Sequence, residues 1–491
     1  MQYHFLSPQK KRLAVNVQNP VLGDGPTGKK SDALRRHRGL IEGPDSGLNY
    51  VPNVAITPSS FHDFLRRARA SFEDPRQSRL SLYETEFTPS ELDMFREAMR
   101  PFDGLYIAVR SDEATAAGVG LWHTDFMLAD GSTESVREFA AIATAIIYSD
   151  YENPVIAFKK RVGIPLEHNT GILVMPVVGM PMDAIHSEDP DKNKTVFSSP
   201  YSFNVITGFV DGDHLLAIGT GLGGANNYGA KTMTLSTLAP NHLVFERKSS
   251  NVLRSKLLVS GSMERMSTLS DYRLDGFSMG WKSLEGLAAH LKKAVSLFHE
   301  RAGAPRYLEL ALNPIGENPL SVVQCAEIAL PNVEKPDVND KQKLYGTSGR
   351  SSRTAHGREV LGRGVVETET VAYLKYDEDE KSHQEHREEL EKLNAQAKNY
   401  FLVLDYFHLA HLVVDNFNLF SNASVIFVRT DDLPKYDIAT HLSGSFREAG
   451  IIVLVGDENS FDIGLNKGIN KRRLLTYAHD GKQEAFVAVM D

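Results

Sequence analysis

Several short stretches of this 491-residue chain have residue types and spacings that fit phosphate or metal chemistry. GDGPTGKKS (23–31) sets Gly23, Gly28 and Lys29 at the spacing of a phosphate-cradling loop. Lys30 stands where that loop needs Ser or Thr for Mg²⁺, and Pro26 removes an amide, so the loop reading fails. A Gly/Lys turn opening a helix still offers amides and ammonium groups to an anion, although a solvated turn predicts the same string. GTGLGGANNYGAK (219–231) carries five glycines between 219 and 229, fit either for close approach to phosphates or for a flexible hairpin connection. Arg110 ends a strand in AVRSDEATAAG, where a guanidinium can fork onto phosphate or join a surface ion pair. Glu309 in RYLELAL alternates with Leu308 and Leu310, so its carboxylate faces away from them. That suits Mg²⁺ held against a nucleotide, and equally a solvated strand face.

Histidines and acids give weaker signals. Asp405, His408, His411 and Asp415 lie at offsets of 3, 6 and 10 and would share most of one helix face. FLVLDYFHLAHLVVDNF is apolar all round, however, and reads better as a half-buried helix than as a metal stripe. Asp189, Asp191 and Asn193 have calcium-loop spacing, but Lys194 replaces the required Gly and Pro200 the bidentate Glu. His441, in YDIATHLSGSFREAG, follows Thr440 near a helix start that Thr440 or Ser443 would cap and Gly450 would end. An imidazole there faces positive dipole, which favours an added phosphoryl group; a surface histidine beside a cap is the plainer alternative.

The elements that must position these residues alternate in type. Strands are predicted at 14–17, 53–57 and 105–111, with helices over 31–41, 59–72, 88–102 and 132–151. GILVMPVVG, YSFNVITGFVDGDHLLAIGTG, MTLSTL and HLVFER predict a more antiparallel stretch. A helix at 284–303 and strands at YLELAL and LSVVQCAEI follow. The polar segment 336–355 reads as a linker, and beyond it come β-rich GREVLGRGVV, a charged helical insertion at about 377–420, and strands ASVIFVRT, GIIVLVGD and EAFVAVM. The fold class is α/β (α+β).

Composition bounds the function. Hydrophobic residues at 42% and charged residues at 24% describe a globular chain, and length allows two to four domains. The single cysteine, Cys325, excludes an internal disulfide and a structural zinc cluster and predicts a reducing compartment. With a net charge of −9 there is no bulk attraction to a phosphate backbone, so no nucleic-acid partner is expected. No secretory pattern opens the chain and no apolar run approaches a membrane span, which predicts no membrane partner and a cytoplasmic location.

Taken in order, these pieces resemble the ATP-binding and phosphohistidine domains of the pyruvate phosphate dikinase / phosphoenolpyruvate synthase family. GKKSDALRRHRGL and VPNVAIT are similar to the family's opening Gly-Gly-Lys helix and Val-Pro strand, which makes Lys30 the nucleotide lysine. AVRSDEATAAG resembles its Val-Arg-Ser-Ser motif, carrying Arg110, Ser111 and Gly118. GILVMPVVG resembles the adenine-pocket hinge strand and GLGG its Gly-Leu-Gly-Glu loop, carrying Gly221 and Gly223. GAPRYLELALN and VVQ resemble the strands that carry Glu309 and Gln324. Thr440-His441 precedes Gly450-Ile451 at the spacing of the family's phosphohistidine loop, without the preceding Gly-Gly.

The resemblance implies an ATP-grasp-like nucleotide-binding region over 1–335 with lobes at about 1–200 and 201–335, and a swivelling phosphohistidine-like domain over 356–491. ATP and Mg²⁺ would be the cofactors: Lys30, Arg110, Ser111, Gly118, Gly221, Gly223 and Gln324 on the nucleotide, Glu309 and Gln324 on the metal. Arg110 and His441 would be catalytic, with His441 relaying a phosphoryl group to a small-molecule or protein acceptor. Three departures stand out: Gly224 for the family's Glu, Tyr307 for its Asp and Ala326 for its Arg. They favour the alternative of a silent nucleotide-binding or scaffold relative. The chain has no room for the family's acceptor barrel, so the acceptor site would come from another chain or a further copy.

Overall fold

The computed structural model describes residues 3–6, 12–15, 19–115, 121–186, 191, 194–199, 201–210, 213–220, 231–235, 257–259, 262–264, 272–275, 281–312, 318–328, 330–339, 343–347, 359–375, 383–405, 417–429, 446–456, 468–480 and 484–490. They belong to two compact units, Met1–Ala117 with Trp122–Tyr151 and Glu167–Ile328, and Gly118–Leu121 with Glu152–Leu166 and Ala329–Asp491. Helices and mixed sheets make this an α+β protein.

The first unit is built on two larger sheets. One has the order Val21–Leu22, Val54–Ile56, Thr170–Pro176, Leu105–Glu113, Thr124–Ala129. Leu105–Glu113 begins as the apolar run LYIAV and is buried at every position but Arg110, and all seven residues of Thr170–Pro176 are buried, so the sheet must be covered on both faces. The helix Thr133–Ser149 supplies part of that cover with Phe139, Ile142, Ile146 and Ile147. Pro89–Met99 is started by a reciprocal bond between Thr88 and Glu91, and its Phe95 packs on Phe61 and Phe139.

The other sheet runs Lys231–Leu235, Asp213–Thr220, Tyr201–Val210, Arg306–Leu312, Leu320–Glu327, Leu48–Tyr50. The helix Trp281–Ala302 brings Leu291, Val295 and Phe298 into one core with both sheets. A smaller sheet joins Met180–His186, Lys194–Ser198, Leu257–Val259, Ser262–Glu264 and Tyr272–Asp275. The first predicted strand lies two residues earlier than expected, at Arg12–Val15, and the helix expected over 31–41 is broken at His37 into Lys29–Arg36 and Arg38–Ile41. HLVFER lies outside the described residues.

The second unit has one eight-stranded sheet, ordered Lys343–Thr347, Glu484–Val489, Gly468–His479, Arg363–Lys375, Tyr400–Asp405, Ala423–Arg429, Ile452–Gly456, Glu359–Leu361. Its centre is parallel, from Arg363–Lys375 through Ile452–Gly456. Three expectations are corrected here. The linker at 336–355 contains the edge strand Lys343–Thr347, paired antiparallel with Glu484–Val489. The helical insertion at about 377–420 is helical over His383–Gln396, and Tyr400–Asp405 is then a central strand. FLVL is apolar all round because both faces of that strand are covered; Phe401, Leu402 and Leu404 are fully buried. Finally, the helix Asn153–Val162, which the periodicity reading passed over, belongs to this unit: Phe158 meets Phe417 edge-on and Arg161 bonds the Ala449 carbonyl.

A candidate anion and nucleotide site

In the first unit, residues far apart in sequence converge on Arg110. Its strand, Leu105–Glu113, is rigidly paired on both sides, so the side chain leaves a fixed backbone. The guanidinium donates to Glu309 Oε2 at 2.7 Å, Gln324 Oε1 at 2.7 Å and the Val323 carbonyl at 2.9 Å. Glu309 and Gln324 are register partners on adjacent antiparallel strands, with a bulge just after Glu309, which puts both side chains on the same face. Arg110 and Glu309 are 12% and 10% exposed, so this is a buried ion pair, unlike the surface pairs elsewhere in the unit. Three of the five guanidinium N–H groups are engaged, and two have no acceptor among the described residues.

Lys30 reaches the same strand. Its ammonium donates to the Ser111 carbonyl at 2.9 Å and to Ser111 Oγ at 3.4 Å. Burial, reinforced by the positive charge of Arg110, lowers its pKa to about 8, against the opposing pull of Glu309, Asp112 and Glu113. The ammonium is thus a poorly compensated cation, a condition that a bound anion relieves.

Lys30 opens the helix Lys29–Arg36, whose N-cap, Gly28, has no side chain to cap with. The cap comes from across the unit: Asp112 Oδ1 accepts from the Lys30 amide at 3.0 Å and the Ser31 amide at 3.2 Å. This contact explains Gly28, since a Cβ there would lie 2.1 Å from the Asp112 carbonyl oxygen. Burial raises the Asp112 pKa, and its Oδ2 is buried with no partner among the described residues. Sequence reasoning missed Asp112. An acid after Arg-Ser resembles any polar loop start, and only the glycine opposite hinted at a close approach.

Tyr307 was noted as a departure from an acidic residue. Its hydroxyl donates to Glu309 Oε1 at 3.1 Å, and burial together with the Glu309 charge pushes its pKa up, so it remains a neutral donor. Its register partner is Ala326, so a large and a small side chain face each other across the hairpin.

The structure therefore brings together Lys30, Arg110, Ser111, Glu309 and Gln324. Gly118, Gly221, Gly223, Gly224 and His441 lie outside the described residues, as do His408, His411, Asp415, Asp189 and Asn193. The helix stripe proposed to begin at Asp405 is corrected at its first member, which ends a strand between Lys375 and Arg429. Gly450 has φ +69°, and the Ile451 amide returns to the Phe446 carbonyl, so Gly450 closes a helical turn before the strand Ile452–Gly456 as GIIVLVGD suggests.

Among the described residues no group of three or more His, Cys, Asp or Glu is gathered for a metal ion. Glu309 and Gln324 nevertheless present two neighbouring oxygens, enough for Mg²⁺ when phosphates and water complete its shell. The donor set of Lys30 and Arg110 likewise fits a polyphosphate. No helix among the described residues is long and apolar enough to cross a membrane. No protein-family model matches the chain, and no curated protein matches it.

Proposed function

We propose that the first unit is an ATP-grasp-like nucleotide site of the pyruvate phosphate dikinase / phosphoenolpyruvate synthase type, and that the chain is an ATP-dependent phosphotransferase. The observation that carries this reading is the convergence of Lys30, Arg110, Ser111, Glu309 and Gln324, which lie up to 214 residues apart on pairs that hydrogen-bond directly. A phosphate would be held by the Lys30 ammonium and by the two unused N–H groups of Arg110. Glu309 and Gln324 would hold Mg²⁺, whose role when bound is to neutralise charge on the phosphates. In this reading Arg110 stays fixed by the Val323 carbonyl while Glu309 and Gln324 turn toward the metal, and Lys30, already short of compensating charge, gains an anionic partner. His441 as the phosphoryl carrier, the glycine loop over the phosphates and a cytoplasmic location rest on the sequence alone.

A second reading, a nucleotide-binding or scaffold protein without turnover, is favoured by Tyr307 in place of an acid and by the protein acceptors already on Arg110. One experiment separates the two. Incubation with β- and γ-labelled ATP and Mg²⁺ should leave acid-labile phosphate on the wild type and none on His441→Ala. Label persisting in that variant sinks the relay. ATP that raises the melting temperature in a Lys30-dependent way without turnover establishes the silent binder. No ATP-dependent shift at all would remove both readings.

A further inference from the structure

The second unit contains a cavity of about 480 Å³ floored by one face of the helix Asn153–Val162. Asn153, Ile156, Ala157, Lys160 and Arg161 follow at i, i+3, i+4, i+7 and i+8, the spacing of a single helix stripe. The opposite face is the one that is packed inward, through Val155, Phe158 and Lys159. The facing wall is formed by Lys398, Ser421 and Asn422.

That wall is held in place. Asn394 brackets it, accepting the Asn422 amide at 2.9 Å and donating to Ser421 Oγ at 3.2 Å, while the Asn422 side chain returns to the Asn394 carbonyl at 2.6 Å. Next to Lys398, Asn399 adopts φ +51° and donates its amide to the Asn422 carbonyl at 2.9 Å. Lys398 therefore projects from a turn locked to the residues beside it. Across from it, Arg161 Nε is tied to the Ala449 carbonyl at 3.1 Å, leaving its terminal nitrogens uncommitted among the described residues.

Three cationic side chains thus converge on one concavity, and no carboxylate is found among the described residues lining it. None of the three forms an ion pair with a described carboxylate. A location in the last turn of a helix accounts for Lys160 and Arg161 being basic, since cations favour the negative end of the dipole. It does not account for Lys398, which comes from a different element. Burial lowers the Arg161 pKa, as expected for a guanidinium lacking a counter-charge. A cavity of this volume suits a small molecule, and three cations in a hollow differ from the extended basic stripe that tracks a nucleic-acid backbone.

From this arrangement we infer that the second unit binds a small polyanion carrying two or more phosphate groups. Lys160, Arg161 and Lys398 neutralise the phosphates; the amides of Asn153 and Asn422 and the Ser421 hydroxyl bond to their oxygens or to an attached organic group. This site is separate from the cluster around Arg110 and stands whether or not that cluster binds ATP.

The test is calorimetric titration of the full chain with inorganic pyrophosphate at low ionic strength. Lys160→Gln and Lys398→Gln, both at exposed positions, should each weaken binding about tenfold, and their combination with Arg161→Gln should abolish it. Lys30→Ala should leave this binding event in place. The double variant retains Arg161 and its tie to Ala449, so the test survives if the triple variant does not fold. Pyrophosphate binding that is absent in the wild type, unchanged in the double variant, or lost in Lys30→Ala overturns the assignment. So does a single-stranded oligonucleotide that binds more tightly than pyrophosphate in the same titration and loses that binding in the double variant, since that would indicate a macromolecular partner.

Discussion

Each unit buries a network of guanidinium and carboxylate groups, and the two are built to opposite rules. In the second unit one carboxylate, Asp480, is enclosed by two guanidinia: Arg363 Nε at 2.7 Å on one oxygen, Arg447 on the other, with the Gly362 amide adding a bond at 3.1 Å. Burial pushes its pKa up, but Arg447 and Arg363 outweigh that and hold it below the ordinary carboxylate value. In the first unit one guanidinium, Arg110, is shared by several acceptors and, among the described residues, still has two donors unused, beside an undercompensated Lys30 and an Asp112 oxygen without a described partner. A saturated carboxylate locks a fold. An unsaturated cationic cluster stores the capacity to bind an anion.

The sharpest way to break this comparison is to remove each carboxylate's charge in turn. Asp480→Asn removes the charge that two buried guanidinia share and should cost about 3–5 kcal/mol in urea denaturation. Glu309→Gln keeps an acceptor for Arg110 and leaves Gln324 and Val323 in place, so its cost should be several-fold smaller, while ATP-dependent stabilisation falls. Equal costs would mean that the first cluster is as structural as the second.

Next in size is Gly28→Ala. The added methyl meets Asp112 backbone, which cannot retreat from a strand paired on both sides, so the helix must shift. The expected loss is about 1–3 kcal/mol. It should be accompanied by a changed Lys30 titration, because the Lys30 amide is itself one of the donors to Asp112. An unaltered Lys30 would show that its environment does not depend on this cap.

The fold around these clusters was unevenly legible in the sequence. Glu309 could be placed by alternation with Leu308 and Leu310, a short-range property, and the structure puts it on a buried face beside Gln324. Gln324, by contrast, was recognisable only through a family resemblance, because its partner is set by hairpin register. FLVL at 401–404 misled the reading, since a strand covered on both faces and a buried helix segment give the same unbroken apolar run. Asp112 was overlooked because a cap supplied from 82 residues away leaves no local pattern. The convergence of Lys160 and Arg161 with Lys398 was unreadable for the same reason: each is an ordinary exposed or half-buried cation until tertiary structure brings them together.

The two networks should also respond to pH with the same sign but in separate ranges, since both groups have lowered pKa values. Lys30 titrates near 8 when folded and near its ordinary value of 10.5 when unfolded, so between those limits the unfolded chain binds more protons. Stability should therefore rise as the pH increases from about 8 toward 10, and Lys30→Met should flatten that rise. Asp480 has a depressed pKa, so its contribution is present at neutral pH and is lost as the pH falls below about 4. Denaturation midpoints measured across both ranges, with ¹³C-methylated lysine signals to follow Lys30 directly, check that stability rises with pH in each. A Lys30 signal titrating above 10 would remove the undercompensated cation on which the contrast depends.

The smallest effect belongs to a pair that matches neither rule. Arg36 contacts Asp32 at 2.8 Å and Glu327 at 3.0 Å, yet the arginine is 51% exposed. Water and salt screen both contacts, and holding long side chains in one geometry costs entropy, so Arg36→Ala should lower stability by less than about 1 kcal/mol. Raising the salt concentration should shrink even that difference, whereas the cost of Asp480→Asn, inside a site 1% exposed, should be nearly insensitive to salt. Counting ion pairs would rank Arg36, with two partners, level with Asp480. If burial rather than partner number sets the energy, the two substitutions separate by a wide margin, and that margin persists at high salt.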